Sequence, residues 1–357
     1  MRKVKREKAA MSLVNITVRK ISLAIFVLLL FAPFSIGFAQ TVEGEPKVVV
    51  VPNKGKIKVK RKYKKIIGGS DTFAEKSIAV DAKVNISLCV SEGNLKVTGW
   101  ERNEIRAFVG NGSKVSFKVQ QKSRQNNNPV WVMVTGFDPT DVKGKSPEEC
   151  LSGEEIELDV PRGATVNVKG RTTETKIEAV RKADVKSVGG DITLNNIEQG
   201  IVAATYEGDV TVENSGGAIT LESGNGNIVA FDVAPSEIGD IFKAKTSSGA
   251  ITLQRIEHRQ TEINSNSGSI KFIGEFQSGG QYTFGTMNGT ISLAIPEKSS
   301  CKIIASYGYG RFNSELKFNI ITENNSSKTQ SIVASIGSGD ASVNLTTFSG
   351  AIRIKKQ

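Results

Sequence analysis

A five-residue phrase led by glycine recurs along the chain and limits what the chain can fold into. It reads Gly190-Asp191-Ile192-Thr193-Leu194, Gly208-Asp209-Val210-Thr211-Val212 and Gly217-Ala218-Ile219-Thr220-Leu221. It returns at Gly249-Ala250-Ile251-Thr252-Leu253, Gly268-Ser269-Ile270-Lys271-Phe272, Gly289-Thr290-Ile291-Ser292-Leu293 and Gly350-Ala351-Ile352-Arg353-Ile354. Glycine turns the backbone through positive φ without a Cβ penalty. The next residues alternate in period two, so the aliphatic pair faces one side and the polar residue the other. A unit this small cannot bury its apolar face alone, so copies must stack.

From Gly163 to Leu293 the commonest step between glycine-led segments is 8 to 11 residues, and double steps of 18 to 21 recur. That spacing predicts a coil of about 20 residues with two strands and two turns. Six or seven such coils at ~4.8 Å each would make a stack roughly 30 Å long. A β-sandwich also turns every 8 to 12 residues, but its strands each meet a different partner. Near-identical phrases imply near-identical surroundings, which stacking supplies. The expected fold is therefore all-β, a parallel β-solenoid with irregular β caps. Right-handed winding follows from the rule for parallel crossovers. Thr193, Thr211, Thr220, Thr252 and Ser292 should share one outward slot, where β-branched hydroxyls suit a sheet surface. Ile192, Ile219, Ile251 and Ile291 should share the aliphatic column inside.

The N-terminal residues have a different composition. Arg2, Lys3, Lys5, Arg6, Lys8, Arg19 and Lys20 precede the apolar run Ile21–Phe31, and Gly37-Phe38-Ala39 places small residues where a signal peptidase reads. Charged, apolar, then small-x-small is the order of a secretory signal, with cleavage expected between Ala39 and Gln40. The alternative is an uncleaved inner-membrane anchor, since residues 21–39 carry no charge and ~20 such residues span a bilayer. This reading divides the chain into a leader (1–39), a basic linker (40–76), an N-terminal β cap or first coils (77–160) with an insertion at 121–153, the solenoid proper (161–295), and C-terminal coils and cap (296–357). Lys302–Ser306, Glu315–Ile321 and Ser331–Leu345 read as cap strands. The charged Ile352-Arg-Ile-Lys-Lys-Gln357 reads as a closing edge.

The net charge of +11 is not spread over the chain. Residues 1–40 hold seven basic and one acidic residue, 41–71 nine and three, and 72–357 thirty-one and thirty-two. The repeat body is thus neutral, which argues against a nucleic-acid partner. The basic run Lys54, Lys56, Lys58, Lys60, Arg61, Lys62, Lys64 and Lys65 reads as a self-repelling, extended linker. It also suits docking on an anionic membrane or wall polymer, at ~1 kcal/mol per basic residue near such a surface.

An exported chain can hold disulfides. Cys89 and Cys150 flank the irregular insertion, and a bridge between them would close a loop of about 60 residues, worth ~4 kcal/mol in the chain-entropy model. Cys301 is then left over; the alternative is three thiols packed as small hydrophobes. No Cys-x-x-Cys exists and His258 is the sole histidine, so no metal site is expected. The repeated glycines lead into strands, whereas a phosphate cradle needs a helix N-terminus, so no cofactor is expected.

Catalytic candidates are few. His258 lies in Arg255-Ile-Glu-His-Arg259 and reads as part of a solvated, charged turn. Asp191 and Asp209 hold equivalent turn positions and would align vertically, Asp240 sits in a related turn, and Asp340 lies beyond the main stack. Aligned carboxylates can act as acid and base or bind calcium. Turn aspartates that bond their own backbone are the simpler account, because Ala218, Ala250, Ser269 and Thr290 fill the same slot elsewhere. Tyr307 and Tyr309, around Gly308, offer aromatic faces to a sugar or pack in a cap.

Three features carry a family resemblance: Gly93-Asn-Leu-Lys-Val-Thr-Gly-Trp100, the Ser-Gly-x-Ile phrases at Ser248–Leu253 and Ser267–Phe272, and the closing Thr347-Phe-Ser-Gly-Ala-Ile-Arg-Ile354. Over residues 77–355 the chain resembles the bacterial "putative adhesin" domains of unknown function, β-strand-repeat proteins related to the head-GIN type. The resemblance implies a β-solenoid in a bacterial cell envelope; it carries over no ligand and no functional residue. The long 121–153 insertion and the lysine-rich linker depart from the family pattern.

The expectation is an exported, non-enzymatic envelope protein, held in the periplasm, on the outer surface or secreted. It would recognise a glycan or protein through rows such as Thr193, Thr220, Lys243, Lys245, Thr252 and Lys271. The alternatives are a glycan-active β-helix enzyme and a self-associating structural scaffold.

Overall fold

The computed structural model describes residues 73–137, 150–325 and 329–357, all within one compact unit, Ile66–Gln357. The leader with its Ala39–Gln40 junction, the basic run Lys54–Lys65 and residues 138–149 of the insertion lie outside the described residues.

The described chain is all strand and turn. It begins with β1 (Phe73–Ala79), β2 (Asn85–Trp100), β3 (Glu104–Gly110), β4 (Lys114–Lys122), β5 (Pro129–Phe137), β6 (Leu151–Pro161) and the long β7 (Thr165–Glu178). Strand pairs follow: β8 (Lys182–Gly189) and β9 (Ile192–Asn195), β10 (Ile201–Glu207) and β11 (Val210–Gly216), β12 (Ile219–Asn225) and β13 (Ile228–Ala234). Next come β14 (Ile241–Ser248) and β15 (Ile251–Ile256), β16 (Gln260–Ser267) and β17 (Ile270–Ile273), β18 (Gln281–Asn288) and β19 (Ile291–Ile295). The chain ends with β20 (Cys301–Tyr309), β21 (Phe312–Ser314), β22 (Asn319–Asn325), β23 (Gln330–Ile336), β24 (Ala341–Ser349) and β25 (Ile352–Lys356).

Each strand from β8 to β17 pairs in parallel with the strand two places on, so even-numbered strands build one ladder and odd-numbered strands a second. This is the two-strand coil that the glycine spacing predicts, a stack of parallel strands in a solenoid-like body. β7 opens the stack by bending between the ladders, pairing Thr165–Thr172 with β8 and Thr175–Glu178 with β9.

Period-two alternation decides the core. In the odd ladder Ile192, Val210, Ile228, Ile251, Ile270, Ile291 and Ile352 stack in register, all fully buried. A fully buried aliphatic side chain of this size contributes ~1.5–3 kcal/mol. Ile219 is equally buried but belongs to the other ladder, between Ile201 and Phe242. The Gly217 phrase therefore sits on a different corner from its look-alikes. The true member of the odd column there is Ile228, in Gly226-Asn227-Ile228-Val229-Ala230. Thr220 likewise faces outward from the even ladder, while Thr193, Thr211, Thr252 and Ser292 face outward from the odd one.

Both ends of the body are built out of chain order. β24–β25 lie between β18–β19 and β20–β21, so the last coil in sequence is not the last in space. β25 is thus no closing edge, because it pairs with β19 and β21 together. Cys301–Tyr309 and Ala341–Ser349 are coil strands rather than cap strands, and only β22 and β23 cap that end, β23 running antiparallel to β20 and β22 antiparallel to β23. At the N-terminal end β2 is likewise enclosed, pairing with β7 on one side and with β5 and β6 on the other. β1, β3 and β4 then close it antiparallel. The edge strand β4 carries Lys114, Lys118 and Lys122, charges that discourage edge-to-edge pairing.

Candidate functional site

The two corners of the coil are built differently. At the first corner every connection is two residues long: Gly190-Asp191, Gly208-Asp209, Gly226-Asn227, Gly249-Ala250, Gly268-Ser269, Gly289-Thr290, Gly350-Ala351 and Gly310-Arg311. Glycine is required there by contact, and at Gly190, Gly208, Gly249 and Gly350 by a positive φ as well. From Gly208 to Gly310, a Cβ on any of the leading glycines would run into the carbonyl oxygen of the glycine one coil below. Those carbonyls then accept from buried hydroxyls one coil above. Thr205 donates to Gly190, Ser223 to Gly208, Thr246 to Gly226, Ser265 to Gly249, Thr286 to Gly268 and Thr347 to Gly289, at 2.9–3.3 Å. The signature is Ser/Thr-x-x-Gly, a spacing visible in the sequence but overlooked in the five-residue phrase.

Asp191 and Asp209 do align vertically, and each is consumed by the stack. The Asp191 carboxylate accepts from the Asp209 amide at 2.8 Å, the Asp209 carboxylate from the Asn227 amide at 2.7 Å, and the Asn227 side-chain Oδ1 from the Ala250 amide at 3.0 Å. The partner is the next coil's backbone, not the residue's own. Asp340 accepts locally from Ser338, 2.7 Å away.

At the second corner the connections vary: 196–200, 217–218, 235–240, 257–259, 274–280 and 296–300. Several coils enter this corner through a left-handed residue, at Asn196, Asn214, Asp232 and Arg255. Asn and Asp tolerate that conformation best, and Arg255 is held in it by an ion pair with Asp232.

His258 sits here, and it is buried rather than solvated. Its flanking Glu257 and Arg259 are exposed, because alternation turns them out and the imidazole in. Nε2 lies 2.8 Å from Gly217 O, and the ring packs against Phe242 at 5.8 Å. Burial pushes the His258 pKa below its ordinary value, against the opposing effects of the Gly217 hydrogen bond and the Asp240 and Glu257 charges. At neutral pH it is uncharged and donates from Nε2.

Asp240 closes the loop above it. Desolvation pushes its carboxyl up, but hydrogen bonds from the Glu237 amide and the Ser236 amide and hydroxyl, with a smaller contribution from His258 once that ring is protonated in acid, bring it below its ordinary value. The 274–280 loop is fixed by aromatics: Phe276 stacks on Phe272 at 5.2 Å and meets Tyr282 at 4.7 Å, and the buried Tyr282 hydroxyl accepts from the Gln277 amide at 2.7 Å. Between the two long loops lies a cleft of about 680 Å³, with Glu257, Arg259 and Gln260 along its floor.

The remaining sequence candidates separate. Cys89 and Cys150 are bonded, with Cα atoms 4.5 Å apart, and a groove of about 530 Å³ opens beside them. Cys301 is a buried thiol whose pKa burial pushes up to about 12. Tyr307 is buried and Tyr309 is exposed, edge-on to Phe348 at 5.5 Å. Thr193, Thr252 and Lys271 belong to one outer face, and Thr220, Lys243 and Lys245 to the other, where Lys243 pairs with Glu262 at 3.4 Å.

The family model described as Toastrack DUF4097 matches residues 54–355. The chain belongs to this family. The resemblance read from the glycine phrases is thus borne out at the level of the family, and the match takes in the basic run as well as the Toastrack body. No curated protein matches the chain. Among solved structures the chain is similar to one from Clostridium sporogenes ATCC 15579 titled a "putative cell adhesion protein", with 12% identity over 81% of this chain and 100% of that one and a TM-score of 0.24.

Proposed function

We propose that this Toastrack protein is exported and recognises a ligand of the cell envelope or its surroundings, without catalysing a reaction. The observation that carries the reading is the fate of the side chains that the sequence offered for catalysis, the aligned aspartates and the histidine. Asp191 and Asp209 hold adjacent coils together, and the sole imidazole is buried on a backbone carbonyl. A general acid or base needs reach to its substrate, and these groups are committed elsewhere. The charged, apolar, small-x-small order of residues 1–39 supports export, and the Cys89–Cys150 bridge fits an oxidising compartment. The composition of the basic run, eight Lys and Arg among residues 54–65, is that expected of a linker after such a leader.

One experiment tests the reading. Cells are fractionated, the protein is recovered and its N-terminus sequenced, and the product is assayed for reducing sugar released from pectin and a glycan panel. The expected outcome is an envelope or medium fraction, a chain starting at Gln40, and no release. Turnover that disappears in Asp191→Ala/Asp209→Ala, or a cytoplasmic chain retaining residues 1–39, would overturn it.

A further inference from the structure

We infer that the cleft between the 235–240 and 274–280 loops binds a non-acidic oligosaccharide rich in hydroxyl and acetamido groups, an inference that rests on the recognition reading above and gives it a site. The geometry comes from coil lengths. Counted along the even ladder, neighbouring coils add 18, 18, 23, 19 and 21 residues from Ala183 to Tyr282. The two long steps put six- and seven-residue loops on the second corner, with the three-residue connection 257–259 between them. The walls stand two coil steps apart, ~10 Å at the usual strand spacing. The volume, about 680 Å³, lies in the range of small-ligand sites.

Both walls are fixed from below, one by the Asp240 cap and the other by the Phe272, Phe276 and Tyr282 cluster. The floor rests on His258 and Gly217. A pre-formed cleft does not pay an ordering cost when it binds. The side chains lining it are unspent. Glu237, Glu257, Arg259, Gln260, Gln277 and Gln281 make no side-chain hydrogen bond or ion pair among the described residues. Elsewhere Arg106, Lys243 and Arg255 are all paired with carboxylates.

The chemistry of these groups selects the ligand. Three carboxamides both donate and accept, which suits hydroxyl and amide groups. The fixed charges of Glu237, Asp240 and Glu257 against Arg259 leave the cleft negative, which disfavours polyanions. Its lining is about half polar, with Ile238 at the exposed rim, so a purely hydrophobic ligand would leave the carboxamides and charges unpaired. A peptide strand would need a free sheet edge. Here the backbone is already laddered, Glu257 N to Val233 O at 2.9 Å and Gln281 N to Arg259 O at 2.6 Å.

Calorimetric titration of the full-length protein with chitotetraose tests the inference. Tetragalacturonate is the anionic arm. Chitotetraose should bind, tetragalacturonate should bind at least ten-fold more weakly, and Gln260→Ala/Gln281→Ala should weaken chitotetraose at least ten-fold with an unchanged melting temperature. Lys271→Ala, on the outer face of the odd ladder, should bind as the parent does. Absence of chitotetraose binding, stronger binding of tetragalacturonate, or undiminished binding by the double variant would overturn the cleft. If binding survives the double variant but falls in Lys271→Ala, the cleft is wrong and recognition moves to the sheet face. Reducing-sugar release from the same protein would instead strike the non-enzymatic reading itself.

Discussion

The first and second corners of the coil are made by the same chain in the same turns, yet they obey different rules. Every first-corner connection spans two residues, and its glycines, hydroxyls and Asp or Asn side chains bond the coils above and below. Second-corner connections run from two to seven residues, and their outer side chains bond little. Both corners bury the same aliphatic columns, so hydrophobic burial does not separate them. The difference is close approach. Where backbone meets backbone directly, length and residue type are pinned; where the chain swings clear, insertions cost little, since loop entropy grows slowly with length. One corner of this body holds the stack together and the other is free to acquire a site.

The sharpest way to break that contrast is to add one methyl group on each side. Gly268 has no positive φ to lose, but its Cβ would run into Gly249 O, whereas Gly239 has φ of 96° with nothing within 4 Å of its Cβ. Gly268→Ala should cost about 3 kcal/mol or more, because the backbones must part. Gly239→Ala should cost about 1–2 kcal/mol, the conformational penalty alone. Denaturant unfolding of both variants measures the pair, and equal losses would erase the distinction between the corners.

A smaller effect tests the hydroxyl ladder. Thr246→Val keeps the shape but takes away the donor to Gly226 O. The carbonyl is then unsatisfied in a buried corner, which costs about 1–3 kcal/mol. Removing an exposed second-corner amide with Gln260→Ala should stay within about 0.5 kcal/mol. A Thr246→Val protein as stable as its parent in the same denaturant titration would mean that the ladder is incidental.

The two corners were also unequally legible in the sequence. The glycine phrase gives the two-strand coil and the buried Ile192, Ile251 and Ile291, because period-two alternation and stacking are local rules. It misplaces Gly217, since a glycine before an aliphatic pair looks the same at either corner and only register tells them apart. His258 was hidden by its neighbours: Glu257 and Arg259 read as solvent, and the alternation that turns them outward turns the imidazole in. The enclosed strands β2 and β24–β25 had no local signal at all, because a parallel partner some 60 to 80 residues away is chosen by the fold and not by the strand. The cleft falls in the same class, arising from unequal loops two coils apart.

The smallest expected effect concerns pH, and it separates the corners by their ionisable groups. The first-corner ladder joins side chains to backbone amides and holds no imidazole, while the second corner rests on the chain's one histidine. Burial lowers the folded His258 pKa, so as pH falls the unfolded chain takes up its proton first. Stability should therefore be full above about pH 6.5, the ordinary imidazole value, and decline as pH drops from there toward the folded value. Asp240 and Glu257 moderate the decline by favouring the charged ring. Urea unfolding at pH 8, 6.5 and 5.5 should show this slope, and His258→Leu should flatten it, since no other side chain titrates there in its unperturbed state. Amide exchange should place the acid-induced opening at 235–240 and 257–259 and leave the glycine column protected. A slope unchanged by His258→Leu, or opening that begins at the first corner, would show that the imidazole does not underpin the cleft.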